Sequence, residues 1–207
     1  MKGLLIKDLL AIKRQGRIIL AMLVFYVIYA AAFRNISMLS GMIVMLCAMM
    51  PITAMAYDEK CKWDKYALAM PIPRKTVVLS KYLFGILLDA AGVTAVIPFS
   101  MAISFFTKAF VLKDILLTSA VVGGLALVFL ALILPVMFKF GVEKGRLLMM
   151  LAIFVPVALV MIAAKLGIQA PSEQTVKLLM FSAPAAVAAM LFASYKISAA
   201  IYAKKEF

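Results

Sequence analysis

The sequence predicts an all-α integral membrane protein, and two observations carry that prediction. Of the 207 residues, 67% are hydrophobic and 15% are charged, with a mean hydropathy of +1.11, whereas about half of a soluble globular chain is apolar. The charged residues cluster between apolar runs of roughly 20 residues, the length that a helix needs to cross a bilayer. We therefore expect one membrane domain over residues 1–207, with six transmembrane helices, an N-terminal amphipathic helix and a short cytoplasmic helix between the second and third spans.

The amphipathic helix is predicted from the side-chain pattern of the first segment. Leu5, Leu9 and Ile12 fall on one side of a helical projection. Lys7 and Arg14 fall on the other side, as in helices that lie along the cytoplasmic leaflet. A basic flank of the first span explains these residues equally well. The predicted amphipathic helix covers 1–17, and the predicted spans cover 18–33, 36–57, 82–106, 115–138, 147–164 and 178–202.

The first span also has features of a secretory signal peptide. Arg17 and Arg34 bracket it, and the small residues Ala30, Ala31 and Ala32 near its end resemble a signal-peptide cleavage site. We favour an uncleaved helix because the basic region before it is long and itself amphipathic. The intact mass of the purified protein distinguishes the two.

The distribution of Lys and Arg predicts the orientation. With both termini in the cytoplasm, 17 of the 22 basic residues lie on the inner side and 5 lie outside. Inner loops of membrane proteins carry such an excess of cations. We therefore expect Asp58–Lys81 and Lys139–Arg146, the two charged segments, to face the cytoplasm.

Several kinds of chemistry are excluded by composition. The chain has no histidine, which removes imidazole catalysis and imidazole metal sites. Cys47 and Cys61 have no metal-ligand spacing, and no glycine-rich phosphate loop is present. We expect no catalytic residue and no metal site. We also expect no nucleic-acid partner, because the cations behind the net charge of +13 lie at the ends of membrane segments.

Methionines form a stripe on the predicted second span. Met38, Met42, Met45 and Met49 recur at helical spacing and share one face. Ordinary packing is one explanation. A pliable apolar wall that accepts varied cargo is the other, and we name Met42, Met45 and Met49, with Met161 of the fifth span, as candidate pathway residues.

Asp89 lies inside the predicted third span. A carboxylate at the bilayer centre costs about 2.5–3.5 kcal/mol on insertion scales. It therefore indicates either a functional site that faces water or a partner, or a structural cap on a neighbouring helix. Both interpretations stay open, and Asp89 joins the candidate pathway residues.

The segment Asp58–Lys81 has the composition of a docking site. Trp63 and Tyr66 are three residues apart and Glu59 lies one turn earlier, so a single short helix would present them on one side. Pro71 ends that helix. Aromatic anchors within a charged rim are typical of protein-binding hot spots, but also of residues that rest on lipid headgroups. The residues alone favour neither.

A resemblance to a known family bears on this choice. The pattern D-E-x-x-x-W-x-x-Y-x-x-x-x-P-x-P-R-K-x-x-V-x-S-K-Y, from Asp58 to Tyr82, is similar to the first cytoplasmic loop of small ABC-2-type permease subunits. The start, MKGLLIKDLL, and the segment FKFGVEKGR at Phe138–Arg146 resemble the same family. With the six-span layout, the resemblance extends over essentially the whole chain.

The resemblance implies a permease subunit that is not itself an enzyme. Two permease copies, identical or sister chains, would pair with two separate ATPase subunits, which bind ATP and Mg²⁺, so this chain needs no cofactor. The loop after the second span would be a coupling helix seated on the ATPase. The residues implied in ATPase contact are Asp58, Glu59, Trp63, Tyr66, Met70, Pro71 and Arg74, with Lys144 and Arg146 in a second, smaller contact.

The resemblance further implies a cargo and a location. The most similar members export amphipathic peptide toxins such as phenol-soluble modulins, so amphipathic or antimicrobial-type peptides are the expected cargo, in contact with membrane lipid. The bacterial cytoplasmic membrane is the expected location. Two alternatives stay open, namely a secondary transporter driven by an ion gradient and a membrane scaffold or sensor subunit without transport.

Overall fold

The computed structural model describes residues 1–33, 36–107, 112–165 and 173–205. Every regular element in those ranges is an α-helix, which confirms the all-α prediction for the part of the chain described. The helices are α1 (Lys2–Lys13), α2 (Gly16–Phe33), α3 (Ile36–Lys60), α4 (Trp63–Ala69), α5 (Arg74–Thr107), α6 (Leu112–Lys165) and α7 (Glu173–Ala203).

Four stretches within these ranges are long and apolar enough to cross a membrane. Helix α2 adds the shorter apolar stretch Gly16–Ala30. The membrane class is therefore confirmed, and the number of six spans stays a prediction. The four stretches are Met38–Lys60, Arg74–Met101, Ile115–Leu148 and Ser182–Ala203.

The second charged segment, Lys139–Arg146, is not the loop that its composition predicts. Helical structure continues through α6, and within it Gly141 leaves the helical conformation with φ 79° and ψ 174°. Side chains are almost never found in that region of backbone space, which glycine occupies freely. The sequence thus breaks α6 at one residue, because a single glycine suffices to redirect a helix.

The first charged segment also differs from its prediction. Asp58 and Glu59 belong to the last turn of α3. Lys62 then adopts a left-handed conformation with φ 52° and starts α4 in a new direction. Glu59 therefore does not share a helix with Trp63 and Tyr66, and the predicted common face of these three residues is wrong.

Helix α1 presents a face to the bundle that its amphipathic pattern does not predict. Its buried side chains are Leu4, Asp8 and Ile12, whereas Leu9 is 55% exposed. Lys7 turns inward to an ion pair with α3. The predicted wet-facing position is therefore wrong for Lys7, because the carboxylates of Asp8 and Asp58 hold its ammonium group at the bundle.

In the part of the chain that the structure describes, the helices pack against one another around three apolar clusters. The largest cluster joins α3, α5, α6 and α7 and includes Met137 and Tyr202. A buried polar contact joins α5 to α7 there, since the hydroxyl of Tyr82 lies 2.6 Å from Ser194 Oγ and 2.7 Å from Ser198 Oγ. This core holds in place the ends of α3, α5 and α7 that lie next to α4.

Candidate functional site

Four charged side chains from three helices form a network beside α4. Lys81 Nζ of α5 lies 2.7 Å from Asp8 Oδ1 of α1 and 2.6 Å from Asp58 Oδ2 of α3. Lys7 Nζ lies 3.0 Å from Asp8 Oδ1 and 2.6 Å from Asp58 Oδ1. Two cations thus balance two carboxylates. This balance matters because unpaired charge shielded from water is strongly unfavourable.

The roles of Asp8 and Lys81 are not foreseen from the sequence. The side chain of Asp8 is 1% exposed and that of Lys81 is 5% exposed. A signal for Asp8 exists, because Leu4, Asp8 and Ile12 recur every four residues and place the acid in the middle of an apolar stripe. A buried acid requires a cation, but nothing local indicates that Lys81 supplies it.

Side-chain contacts attach the inner face of α4 to two other helices. Lys7 Nζ of α1 lies 4.4 Å from the centroid of the Trp63 ring, a favourable cation–π distance. The hydroxyl of Tyr202 in α7 donates a hydrogen bond to Asp64 Oδ1 at 3.1 Å. Ala67, on the same face, is 1% exposed. Because both contacts lie in the first turn of α4, a force applied to this helix reaches α1 and α7 through its N-terminal end.

Glu59 and Arg74 form hydrogen bonds with backbone groups at the ends of neighbouring helices. The backbone N–H of Val142 donates to Glu59 Oε2 at 2.6 Å, at the point where helical structure resumes after Gly141. A carboxylate is favourable there because the first amides of a helix lack partners and carry partial positive charge. Arg74 Nη1 donates to the carbonyl of Ala203 at 2.5 Å, at the end of α7, where cations are favoured. Both residues therefore have structural roles.

A cavity of about 240 Å³ lies between α4 and the break in α6, bordered by Trp63 and Gly141. Its lining mixes carboxylates such as Asp64 with lysines such as Lys65. The cavity thus offers no single charge to a ligand. Within the described ranges, no group of three or more Cys, Asp or Glu side chains lies close enough to hold a metal ion.

The outer face of α4 and the turn that follows it are open to the surroundings. Tyr66 is 65% exposed and Met70 is 37% exposed. Pro71 is exposed as well, and so are Lys144 and Arg146 just beyond the break in α6. The nine residues implied in ATPase contact therefore divide into two sets. Asp58, Glu59, Trp63 and Arg74 make contacts within the chain, whereas Tyr66, Met70, Pro71, Lys144 and Arg146 are available to a partner.

The candidate pathway residues are only partly brought together. Met42, Met45 and Met49 line one cavity of about 620 Å³ between α3 and the start of α2. Asp89 does not line it, and is 5% exposed beside Gly123 of α6. Its Oδ1 has no hydrogen-bond partner in the part of the chain that the structure describes, and both interpretations of Asp89 stay open. The side chain of Met161 lies outside the described residues.

A Lys7→Ala change is expected to uncover Trp63. Loss of the Lys7 ammonium group removes about 0.5–2 kcal/mol of cation–π interaction free energy. Because the ring is then less covered, acrylamide should quench the fluorescence of Trp63 more strongly. Trp63 is the only tryptophan in the sequence, so the signal reports this site alone. Lys2→Ala, an exposed change on the same helix, is the control. Equal quenching in both variants would contradict the contact.

Comparison with known proteins gives one family. A family model described as "ABC-2 family transporter protein" matches residues 3–203. No curated protein and no solved structure matches the chain. The matched range runs from the beginning of α1 to the end of α7, and it therefore includes α4, the ion network and the break in α6.

Proposed function

Because the chain belongs to the ABC-2 family of transporters, we propose that it is the membrane subunit of an exporter driven by ATP hydrolysis in a separate subunit. ABC-2 permeases are transmembrane subunits without catalytic activity of their own, and they usually work with an ATPase partner. The observation that carries the proposal is the outer face of α4, where Tyr66 and Met70 are exposed on a helix anchored from within. An exposed aromatic on a rigid support is the usual form of a binding hot spot.

The contacts of α4 support a coupling mechanism. The ATPase would bind the surface formed by Tyr66, Met70 and Pro71, and movement of the ATPase would displace α4. Asp64 would pass that displacement to α7 through Tyr202. Trp63 would pass it to α1 through Lys7. In this proposal the inward residues transmit the motion rather than touch the partner.

A second contact and a second permease copy complete the proposed assembly. Lys144 and Arg146 lie just beyond Gly141, where Glu59 joins the end of α3 to α6. An acidic patch on the ATPase would suit these two exposed cations. The assembly would contain two permeases and two ATPase subunits, with ATP and Mg²⁺ bound only by the latter.

Amphipathic peptides are the proposed cargo. The resemblance of the cytoplasmic segments to peptide-exporting permeases supports this choice, and so does the apolar wall of Met42, Met45 and Met49, since thioethers adapt to varied apolar surfaces. Asp89 and Met161 are proposed to join the pathway when the bundle opens. The chain would lie in a bacterial cytoplasmic membrane with both termini inside, as the distribution of cations favours.

The test is co-purification of this chain with a co-expressed ABC-type ATPase from the same organism. A Tyr66→Ala, Met70→Ala double variant is expected to weaken the complex by about 30-fold or more, because truncation of one hot-spot residue costs about 2 kcal/mol. The free energy of unfolding of the permease should not change, since both side chains are exposed. Affinity is measured by titrating the labelled ATPase against permease in detergent.

Phe192→Ala is the matched control, because Phe192 is a similarly exposed aromatic, 62%, on the membrane part of α7. It should leave the affinity unchanged. Wild-type affinity in the double variant would contradict the proposed surface. Failure of any ATPase to bind the folded wild-type chain would contradict the proposed function as a whole.

A further inference from the structure

The cavity along the methionine face has features that cargo transport does not require. It is about 620 Å³ in volume, within the range of about 300–1,000 Å³ typical of ligand sites. Apolar side chains from α1, α2 and α3 form most of its wall. Gln15 and Thr53 bring polar groups to one end, near the junction of α1 and α2.

The length of this groove matches one leaflet of a bilayer. Its wall on α3 runs from Gly41 to Thr53, which is about 18 Å at the helical rise per residue. One leaflet of hydrocarbon is about 15 Å thick. A single extended acyl chain therefore fits along the groove, with its polar end at Gln15 and Thr53.

Positive charge is concentrated at that polar end. Lys13, Arg14 and Arg17 flank Gln15 in the sequence at the polar end of the groove, although none of these three side chains is part of the lining. All three cations are exposed, and none makes an ion pair with a residue that the structure describes. No acidic side chain is among the described residues of the lining. The polar end is therefore suited to a negatively charged group.

We propose that the groove binds an anionic phospholipid of the cytoplasmic leaflet. Its phosphate lies at Lys13, Arg14 and Arg17, and one acyl chain lies against Met45 and Met49. Anionic headgroups are characteristic ligands of basic pockets beside transmembrane helices, and methionine adapts to acyl chains of different shape. The site shares its methionines with the proposed cargo wall, but lipid binding requires neither ATP nor transport.

Native mass spectrometry of the full-length chain tests the proposal. Phosphatidylglycerol and phosphatidylcholine of equal chain length are added in equal amounts to purified protein in detergent. The wild type is expected to retain phosphatidylglycerol preferentially. An Arg14→Gln, Arg17→Gln variant should bind it about 30-fold more weakly, because each cation near a lipid surface contributes about a fivefold change.

Two further variants complete the test. Lys75→Gln, Lys139→Gln removes two exposed cations away from the groove and should leave lipid retention unchanged. Met45→Trp fills the groove while keeping its cations, and should release the lipid. Equal retention of the two lipids by the wild type, or retention of phosphatidylglycerol by Met45→Trp, would overturn the proposal.

A second permease copy could instead cover the groove. A dimer that carries no lipid and is lost in Met45→Trp would overturn the lipid assignment in favour of that interface. All these measurements are made without the ATPase. Their failure would therefore leave the proposed function intact, and failure of ATPase binding would leave the lipid site intact.

Discussion

A Lys81→Met variant is expected to lose about 3–5 kcal/mol of unfolding free energy, the usual penalty for removing one partner of a buried ion pair. Lys81 Nζ contacts both Asp8 and Asp58 at 2.7 Å or less, and its side chain is 5% exposed. Methionine keeps the volume and removes the charge, so Asp8 remains buried with Lys7 as its remaining cation. Titration with sodium dodecyl sulfate, followed by Trp63 fluorescence, measures the loss.

Two comparisons isolate the charge effect of Lys81. Lys75→Met makes the same change at an exposed position of α5 and should alter the free energy of unfolding by less than about 0.5 kcal/mol. Adding Asp8→Asn to Lys81→Met should restore part of the loss, because the buried negative charge is then also removed. A double variant no more stable than Lys81→Met would show that Asp8 is not the group left uncompensated.

A Gly141→Ala variant is expected to lose about 1–3 kcal/mol, the range for a side chain forced into a sparsely populated backbone region. A Cβ built at this position would lie 2.8 Å from Glu59 Oε1. Glu59 must then move, and its hydrogen bond to the Val142 N–H would lengthen. The variant should therefore both unfold more easily and bind the ATPase more weakly, since the hydrogen bond that joins the end of α3 to α6 is weakened.

Gly124→Ala is the matched control for Gly141→Ala, because it lies in the same helix with nothing within 4 Å of the added Cβ. Alanine is favoured over glycine in a helix by about 1 kcal/mol, so this variant should be as stable as the wild type or more so. If Gly141→Ala were also neutral, α6 would have to continue unbroken through that position.

The helices could be predicted because their signals are local. Apolar runs of membrane length and the proline-terminated segment before Arg74 indicate α3, α4 and α5 without knowledge of their neighbours. The break in α6 was predicted as a longer loop, since charge and two glycines fall in Lys139–Arg146. Which glycine breaks the helix depends on Glu59, whose carboxylate caps the amide that follows Gly141. That contact crosses 83 positions of sequence.

The candidate site was less predictable because its geometry depends on contacts between residues that are far apart in the sequence. The spacing of Trp63 and Tyr66 places them near each other on α4, but the rotation of α4 about its axis is set by Lys7 and Tyr202. Trp63 consequently turns inward while Tyr66 turns outward. From the sequence, the cations at the ends of the spans were attributed to membrane orientation alone. Lys81 was therefore not recognised as the partner of the buried Asp8.

The ion network also sets an order of events during synthesis of the chain. Asp8 and Lys81 are 73 positions apart, an interval that a ribosome adding about 5–20 residues per second takes about 4–15 s to cover. During that interval Lys7 is the one cation of the network that can pair with Asp8, so we expect the carboxylate to stay in contact with water at the membrane surface. Helix α1 can take its final position only after α5, which carries Lys81, has emerged from the ribosome.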